Sequence, residues 1–433
     1  MFSLIVLLMP LILSACDNNT IGPAKQISGT TLSLENVSCI EAWLKIAKGD
    51  APAGTKITLN RNDKEVLSFY LSGKDTVLCD ENLSPSNTYT YQVFLNQPNI
   101  AEGKTNTVTA RTMDTTSHNI TWQTWTFGQS NPSIFYNAAI TNDNDIWTVG
   151  ETYFWDSLGA YDPMPYNTYH WDGIQWERNK INISFDDHSI IPPIYGIFTL
   201  PSSEKVIAVG SPCLQSYGKW KLFHLWEMGV LDSTEGGVTK VWGRNINEVY
   251  FCGRNGSAVF YDGGNFHKID VNIKYDFGDI WGIIDKNDNS TEIYMPCVDI
   301  DGGSYKSKIF KITNKTKVDT INWIGKEIAT LWTNDGKIFY VGGYGMYENK
   351  RGYWQKTKMS RDEYICKIRG TDVNNIIACG VNGLVLHYNG ISWHEYTDFS
   401  FARWYSVSIK NNLIVLVGET VNFQAVVTIG KIN

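Results

Sequence analysis

Ile146-Trp147-Thr148-Val149-Gly150 is the first of seven short apolar runs that each climb to a small residue. The others are Val206-Ile207-Ala208-Val209-Gly210, Val249-Tyr250-Phe251-Cys252-Gly253, Ile293-Tyr294-Met295-Pro296-Cys297, Ile338-Phe339-Tyr340-Val341-Gly342, Ile376-Ile377-Ala378-Cys379-Gly380 and Ile414-Val415-Leu416-Val417-Gly418. Their last residues are spaced 60, 43, 44, 45, 38 and 38 positions apart. A repeat of about 40–45 residues, rich in β-branched and aromatic side chains, is the spacing of propeller blades built from four strands. The run would be the second strand, b, of each blade. The fold class that follows is all-β, with a seven-bladed β-propeller over residues 117–433.

Outward from each run the pattern supports the same unit. A first strand, a, precedes it: Ile134 to Ile140, Ile194 to Leu200, Thr239 to Gly243, Asp279 to Ile284, Ala329 to Thr333, Cys366 to Gly370 and Trp404 to Ile409. After several runs a third strand leads through Asp172-Gly173, Asp262-Gly263 or Asn389-Gly390 into an aromatic residue. Such pairs favour the positive φ of a tight hairpin. The last blade has a third strand near Ala425 to Ile429 and no fourth. Ile120-Thr121-Trp122-Gln123-Thr124-Trp125-Thr126-Phe127 has no blade of its own, and Trp122 matches Trp176 and Trp393 in position. That segment is expected to supply the missing outer strand and so cover two open edges.

Residues 27–116 alternate in period two, as in Ala42-Trp43-Leu44-Lys45-Ile46 and Lys56-Ile57-Thr58-Leu59, which describes a small β-sandwich. Leu83-Ser84-Pro85-Ser86-Asn87-Thr88-Tyr89-Thr90-Tyr91-Gln92-Val93 resembles the fibronectin type III motif around the tyrosine corner. The resemblance implies that the Tyr89 hydroxyl bonds back to the preceding loop and that Trp43 is a core residue. It also implies that the second and fifth strands run side by side, so a Cys39–Cys79 disulfide is expected. Cys366 stands near Cys379 on neighbouring strands, a second place to look for a bridge. Cys252 and Cys379 themselves read as small core residues.

Residues 1–15 form an apolar stretch ending in Leu13-Ser14-Ala15-Cys16, too short to span a bilayer. It resembles a bacterial lipoprotein signal with its lipobox, lacking only a basic residue ahead of the apolar run. The resemblance implies cleavage before Cys16, acylation there, a polar tether over 16–26 and attachment to the cell envelope. An exported chain permits disulfides. Two blade segments, Thr371 through Trp393 and Arg244 through Phe266, resemble the repeat of photosystem II assembly-factor propellers and related sialidase-like blades. That resemblance implies binding or assembly more than catalysis. The intact sialidase Asp-box is absent from the sequence.

The formal net charge of −7, without a run of Lys or Arg, argues against a nucleic-acid partner. No G-x-S-x-G occurs, and the His residues are scattered. Three long loops share the propeller face that carries the b–c and d–a connections, where function is expected. The first holds Tyr153, Phe154, Trp155, Asp156, Tyr161, Asp162 and Tyr166; the second Asp186, Asp187 and His188; the third Asp299, Asp301 and Tyr305. Rings with carboxylates suit a sugar, and also pack loops against blades. Asp299-Ile300-Asp301-Gly302-Gly303 looks like the start of a calcium turn, but the closing Glu is missing. No other cofactor is expected. The reading is a membrane-tethered scaffold holding a glycan, peptide or protein, with a carbohydrate-active enzyme using acids from several blades as the alternative.

Overall fold

The computed structural model describes residues 25–26, 29–97, 100–101, 103–185, 188–216, 219–286, 288–299, 306–350 and 352–433. The chain separates into two compact units, Met1–Met113 and Asp114–Asn433. Among the described residues no helix is long and apolar enough to cross a membrane. The signal, Cys16 and most of the tether lie outside the described residues.

The first unit is a sandwich of two antiparallel sheets. One orders Thr31–Val37, Ala42–Ala47 and Thr76–Asp80; the other orders Val108–Arg111, Thr88–Asn96, Lys56–Arg61 and Lys64–Tyr70, with Gly103–Lys104 at its side. Period-two alternation drives the packing: Ile57 and Leu59 are buried while Lys56 between sheet and solvent is exposed. Leu44, Ile46, Tyr91 and Val93 meet them from the remaining strands to form one core. Tyr89 Oη accepts the Ser84 N–H at 2.9 Å. Tyr91 Oη donates to Asp80 Oδ2 at 2.7 Å, and Arg61 closes on the same carboxylate at 3.0 and 3.1 Å.

The expected Cys39–Cys79 bridge is not formed, and Cys79 is a free thiol. The two strands do pair, but their register sets Cys79 opposite Trp43. Cys39 instead falls in the turn before Ala42, where the Ser38 N–H bonds the Glu41 carbonyl. Topology was legible there; register was not, and register decides whether two Cβ atoms can meet. Cys366 and Cys379 are likewise both free thiols.

The second unit is the propeller, and seven four-part sheets follow one another along the chain. Their innermost strands are Ser130–Asn142, Gly196–Thr199, Val238–Asn245, Trp281–Ile284, Ile328–Trp332, Ile365–Asp372 and Ala402–Lys410. Neighbouring sheets meet through these strands, blade four reaching blade five through its second strand Thr291–Asp299, and the last innermost strand contacts the first, which closes the ring. Ile120–Phe127 pairs antiparallel with Ala425–Ile432 as the outer strand of the last sheet, Trp122 opposite Gly430. The absence of a side chain at Gly430 leaves the surface on which the Trp122 ring lies. Tyr396 and Phe399 meet that ring edge-on at 5.4 and 5.2 Å. Ring closure therefore stands as the sequence implied.

The glycine that ends the run in blades one, three, six and seven has a steric cause. In blades one, three, five, six and seven the inner strand carries a one-residue bulge, at Tyr136, Thr239, Ala329, Cys366 and Tyr405. The bulge pushes a backbone carbonyl across the ladder. A Cβ on Gly150 would run into the Ile134 oxygen, and one on Gly418 into that of Arg403. In blade five the bulge faces Gly343, one residue beyond the Gly342 that ends the run. Blade two departs: Gly210 bridges to Val238 of the next blade. The hairpin Ile183–Phe185 with His188–Ile190, inserted before blade two, accounts for its long spacing.

Beside the closing strand, three imidazoles meet. His118 Nδ1 lies 2.9 Å from His387 Nδ1, and the His394 ring centroid is 5.1 Å from that of His118. Burial, reinforced by the neighbouring imidazoles, pushes His387 down to about 3. His118 is lowered by burial and by His394. The seam is thus built for neutral rings.

Candidate functional site

Alternate residues of the inner strands face the propeller axis, and several are charged. Lys240 comes from blade three, Asp279 from blade four, and Lys367 and Arg369, two apart, from blade six. Asp279 is almost wholly enclosed, with 1% of its side chain exposed. Its Oδ1 accepts Lys367 Nζ at 2.5 Å and Arg369 Nη2 at 2.6 Å. Its Oδ2 accepts Arg369 Nη1 at 2.8 Å and the Thr330 hydroxyl at 2.6 Å. The guanidinium is thus held bidentate, the geometry in which charge-assisted bonds are strongest. Its other face covers the Trp281 ring at 4.7 Å.

Burial alone would raise the Asp279 carboxyl, but Arg369 and Lys367 outweigh it and hold the group well below the usual carboxylate range. Burial and the adjacent Arg369 push Lys367 down to about 8, against the pull of Asp279. Lys240 is also lowered, chiefly by burial. Its ammonium differs from the other two cations in having no hydrogen-bond acceptor or ion-pair partner among the described residues.

These groups form the floor of a cavity of about 480 Å³ on the axis. Its lining mixes apolar residues, among them Trp242, Trp281, Ile284 and Ile409, with polar ones, among them Asn137, Thr199 and Ser408. The lining ends at Pro201, Arg244, Ile284 and Lys410, where inner strands turn into a–b hairpins. The cavity therefore opens on the hairpin face, opposite the long loops.

Toward the loop face, tyrosine–glutamate pairs stand at the inner strands of blades one, six and seven. Glu151 accepts the hydroxyls of Tyr136 and Tyr153, both at 2.7 Å. Glu419 accepts Tyr405 at 2.6 Å, and Glu327 accepts Tyr364 at 2.5 Å. Burial and the adjoining carboxylates raise the phenols of Tyr136, Tyr364 and Tyr405. The Tyr136 ring lies tilted against Tyr195 at 5.2 Å and Tyr405 at 6.2 Å. Arg254 lies over Tyr195 and Arg403 over Tyr405.

Outside these pairs the same face carries exposed apolar groups. Trp155 is 51% exposed and Phe423 is 60% exposed; Leu158, Tyr161, Met164, Tyr344 and Val421 are exposed as well. All lie in b–c connections. Trp226, Met228 and Ile324 add to them from d–a connections. The hairpin face shows fewer: Ile174, Ile284, Tyr353 and Ile391. Phe423 also holds a φ of 60°, a left-handed conformation uncommon for a bulky residue.

The residues singled out from the sequence divide accordingly. Trp155 and Tyr161 meet across an isolated bridge with ring centroids 6.4 Å apart. Tyr153 lies 6.0 Å from Tyr161. Phe154 and Tyr166 clamp the Arg178 guanidinium at 4.3 and 4.4 Å. Asp156 accepts the Leu158 and Ala160 N–H groups, and Asp162 pairs with Lys180 at 2.8 Å, so both carboxylates fasten the loop. Asp186, Asp187, Asp301 and Tyr305 lie outside the described residues, as do the side chains of His188 and Asp299. Sequence reasoning passed over the axial charges. Their signal was weak but present: Lys367-Ile368-Arg369 puts two cations on one side of an innermost strand.

No protein-family model matches the chain, and no curated protein matches it. Solved structures do. A structure of YCF48 bound to D1 peptide aligns at 11% identity with a TM-score of 0.51, covering 72% of this chain and 95% of that one. YCF48 from Cyanidioschyzon merolae aligns at 11% identity and a TM-score of 0.50, covering 71% and 98%. At that identity the likeness is one of fold: this chain contains a β-propeller similar to those of YCF48.

Proposed function

We propose that this protein is a membrane-tethered scaffold of the cell envelope whose propeller holds a protein or peptide partner on its loop face. The observation that carries the reading is the concentration of exposed apolar side chains there, led by Trp155 and Phe423. Apolar groups gathered on one face mark interaction surfaces, and aromatic anchors dominate their energetics. The left-handed Phe423 adds weight, because backbone strain persists where function repays it. Leu158, Met164 and Val421 suit a peptide chain better than a glycan, which stacks on flat rings. Support by analogy comes from YCF48, a propeller captured with D1 peptide. Tethering rests on Cys16 and its lipobox, and the sandwich, with its Tyr89–Ser84 bond, serves as a fibronectin type III-like spacer.

The test is selection of random displayed peptides on the purified protein, followed by titration of the winners. A Trp155→Ala/Phe423→Ala double variant should lose at least tenfold in affinity with an unchanged melting temperature. Peptides that bind the double variant as tightly as the parent would remove the loop face as the docking surface.

A further inference from the structure

We propose that the axial cavity is a second binding site, distinct from the partner face, for a small organic acid with an apolar body. Charge count is the first ground. Lys240, Lys367 and Arg369 bring three positive charges to the cavity floor and Asp279 returns one negative, an excess of two. Asp279 is already committed to Lys367 and Arg369 through short bonds to both oxygens. Lys240 is left facing the cavity without an acceptor, a costly arrangement for an ammonium taken out of bulk water. An anion seated above it would supply the missing acceptor.

Shape supplies the second ground. A volume of about 480 Å³ lies in the range of small-molecule sites, which pair apolar walls with a few convergent polar groups. Here the partly exposed Trp281, Ile284 and Ile409 offer apolar surface above the charged floor. An inorganic anion would leave those walls in contact with water; a carboxylate on an aliphatic or aromatic body would cover them. The mouth is itself basic, with Arg244 and Lys410 at its edge, which favours entry of an acid. No residue of the partner face takes part, so either site can fail without the other.

The experiment uses the full protein and sodium octanoate, 1-octanol and octylammonium as probes, read by calorimetry and by tryptophan emission. Octanoate should bind, 1-octanol at least tenfold more weakly, and octylammonium not at all. Lys240→Met should weaken octanoate at least tenfold, leave 1-octanol unchanged and melt no lower than the parent. The proposal is overturned if octanoate fails to bind, if octanoate and 1-octanol bind equally, or if Lys240→Met binds octanoate like the parent. Should Lys240→Met not fold, the comparison of octanoate with 1-octanol on the parent protein decides alone.

Discussion

The two ends of the propeller axis treat polar groups in opposite ways. At the loop face each rim glutamate accepts tyrosine hydroxyls, and exposed apolar side chains stand around the ring. At the hairpin face Glu248 and Glu292 also accept tyrosine hydroxyls, but behind them lies a floor with more cations than its one carboxylate can serve. The difference teaches that satisfied polar groups build a rigid rim, whereas unsatisfied ones point to something absent. On the functions proposed above, the first end is the surface for a large partner and the second the hole for a small one.

The sharpest way to break this comparison is to remove the charge that holds the floor together. Asp279→Ala leaves Lys367 and Arg369 buried without a counter-charge, and stripping one partner from a buried pair costs ~3–5 kcal/mol. Denaturant unfolding should show that loss, while a rim change such as Tyr405→Phe should cost about 1 kcal/mol, the value of one hydrogen bond. On the loop face the expected effect falls on affinity instead. Trp155→Ala with Phe423→Ala removes two anchors worth about 2 kcal/mol or more of peptide binding, and leaves unfolding unchanged.

Acid should disable both ends together, because it acts on the seam that closes the ring. His387 is held down to about 3 by burial and His118 is lowered as well, so the unfolded chain takes up their protons first. Stability contributed by the neutral His387 ring is then complete above about pH 6.5 and falls as pH drops toward 3, at ~1.4 kcal/mol per pH unit, and His118 adds to the loss in the same direction. Melting followed from pH 8 to 4 should trace that decline, and His387→Gln should flatten it. The smallest effect belongs to Lys240→Met. Exchanging an unpartnered ammonium for a thioether should leave stability within about 1 kcal/mol of the parent, on the favourable side.

Much of the architecture was legible because its causes are local. A run ending in glycine reports a bulged neighbour whose carbonyl leaves no room for a Cβ, as at Gly150 and Gly418, and that demand recurs in each blade that bulges. Closure was legible because an orphan strand with Trp122 matched a blade lacking its outer member. The axial floor was not. Lys240, Asp279 and Lys367 are separated by whole blades, and each reads alone as an ordinary charged residue; only the ring gathers them in one cavity and brings Lys367 within bonding distance of Asp279. Cys39 and Cys79 failed for a finer reason, since strand pairing was foreseeable but the register that sets Cys79 against Trp43 was not. Asp156 and Asp162, read from the sequence as ligand contacts, also hold their loop: Asp156 accepts the Ala160 N–H and Asp162 pairs with Lys180.

The central claim is that one axis carries two independent sites, and cross-titration tests it most directly. Peptide selected on the parent protein and octanoate should each be titrated into Trp155→Ala/Phe423→Ala and into Lys240→Met. The account predicts that the first variant loses peptide and keeps octanoate, and that the second does the reverse. Loss of both ligands in either folded variant, or of neither in both, would contradict it.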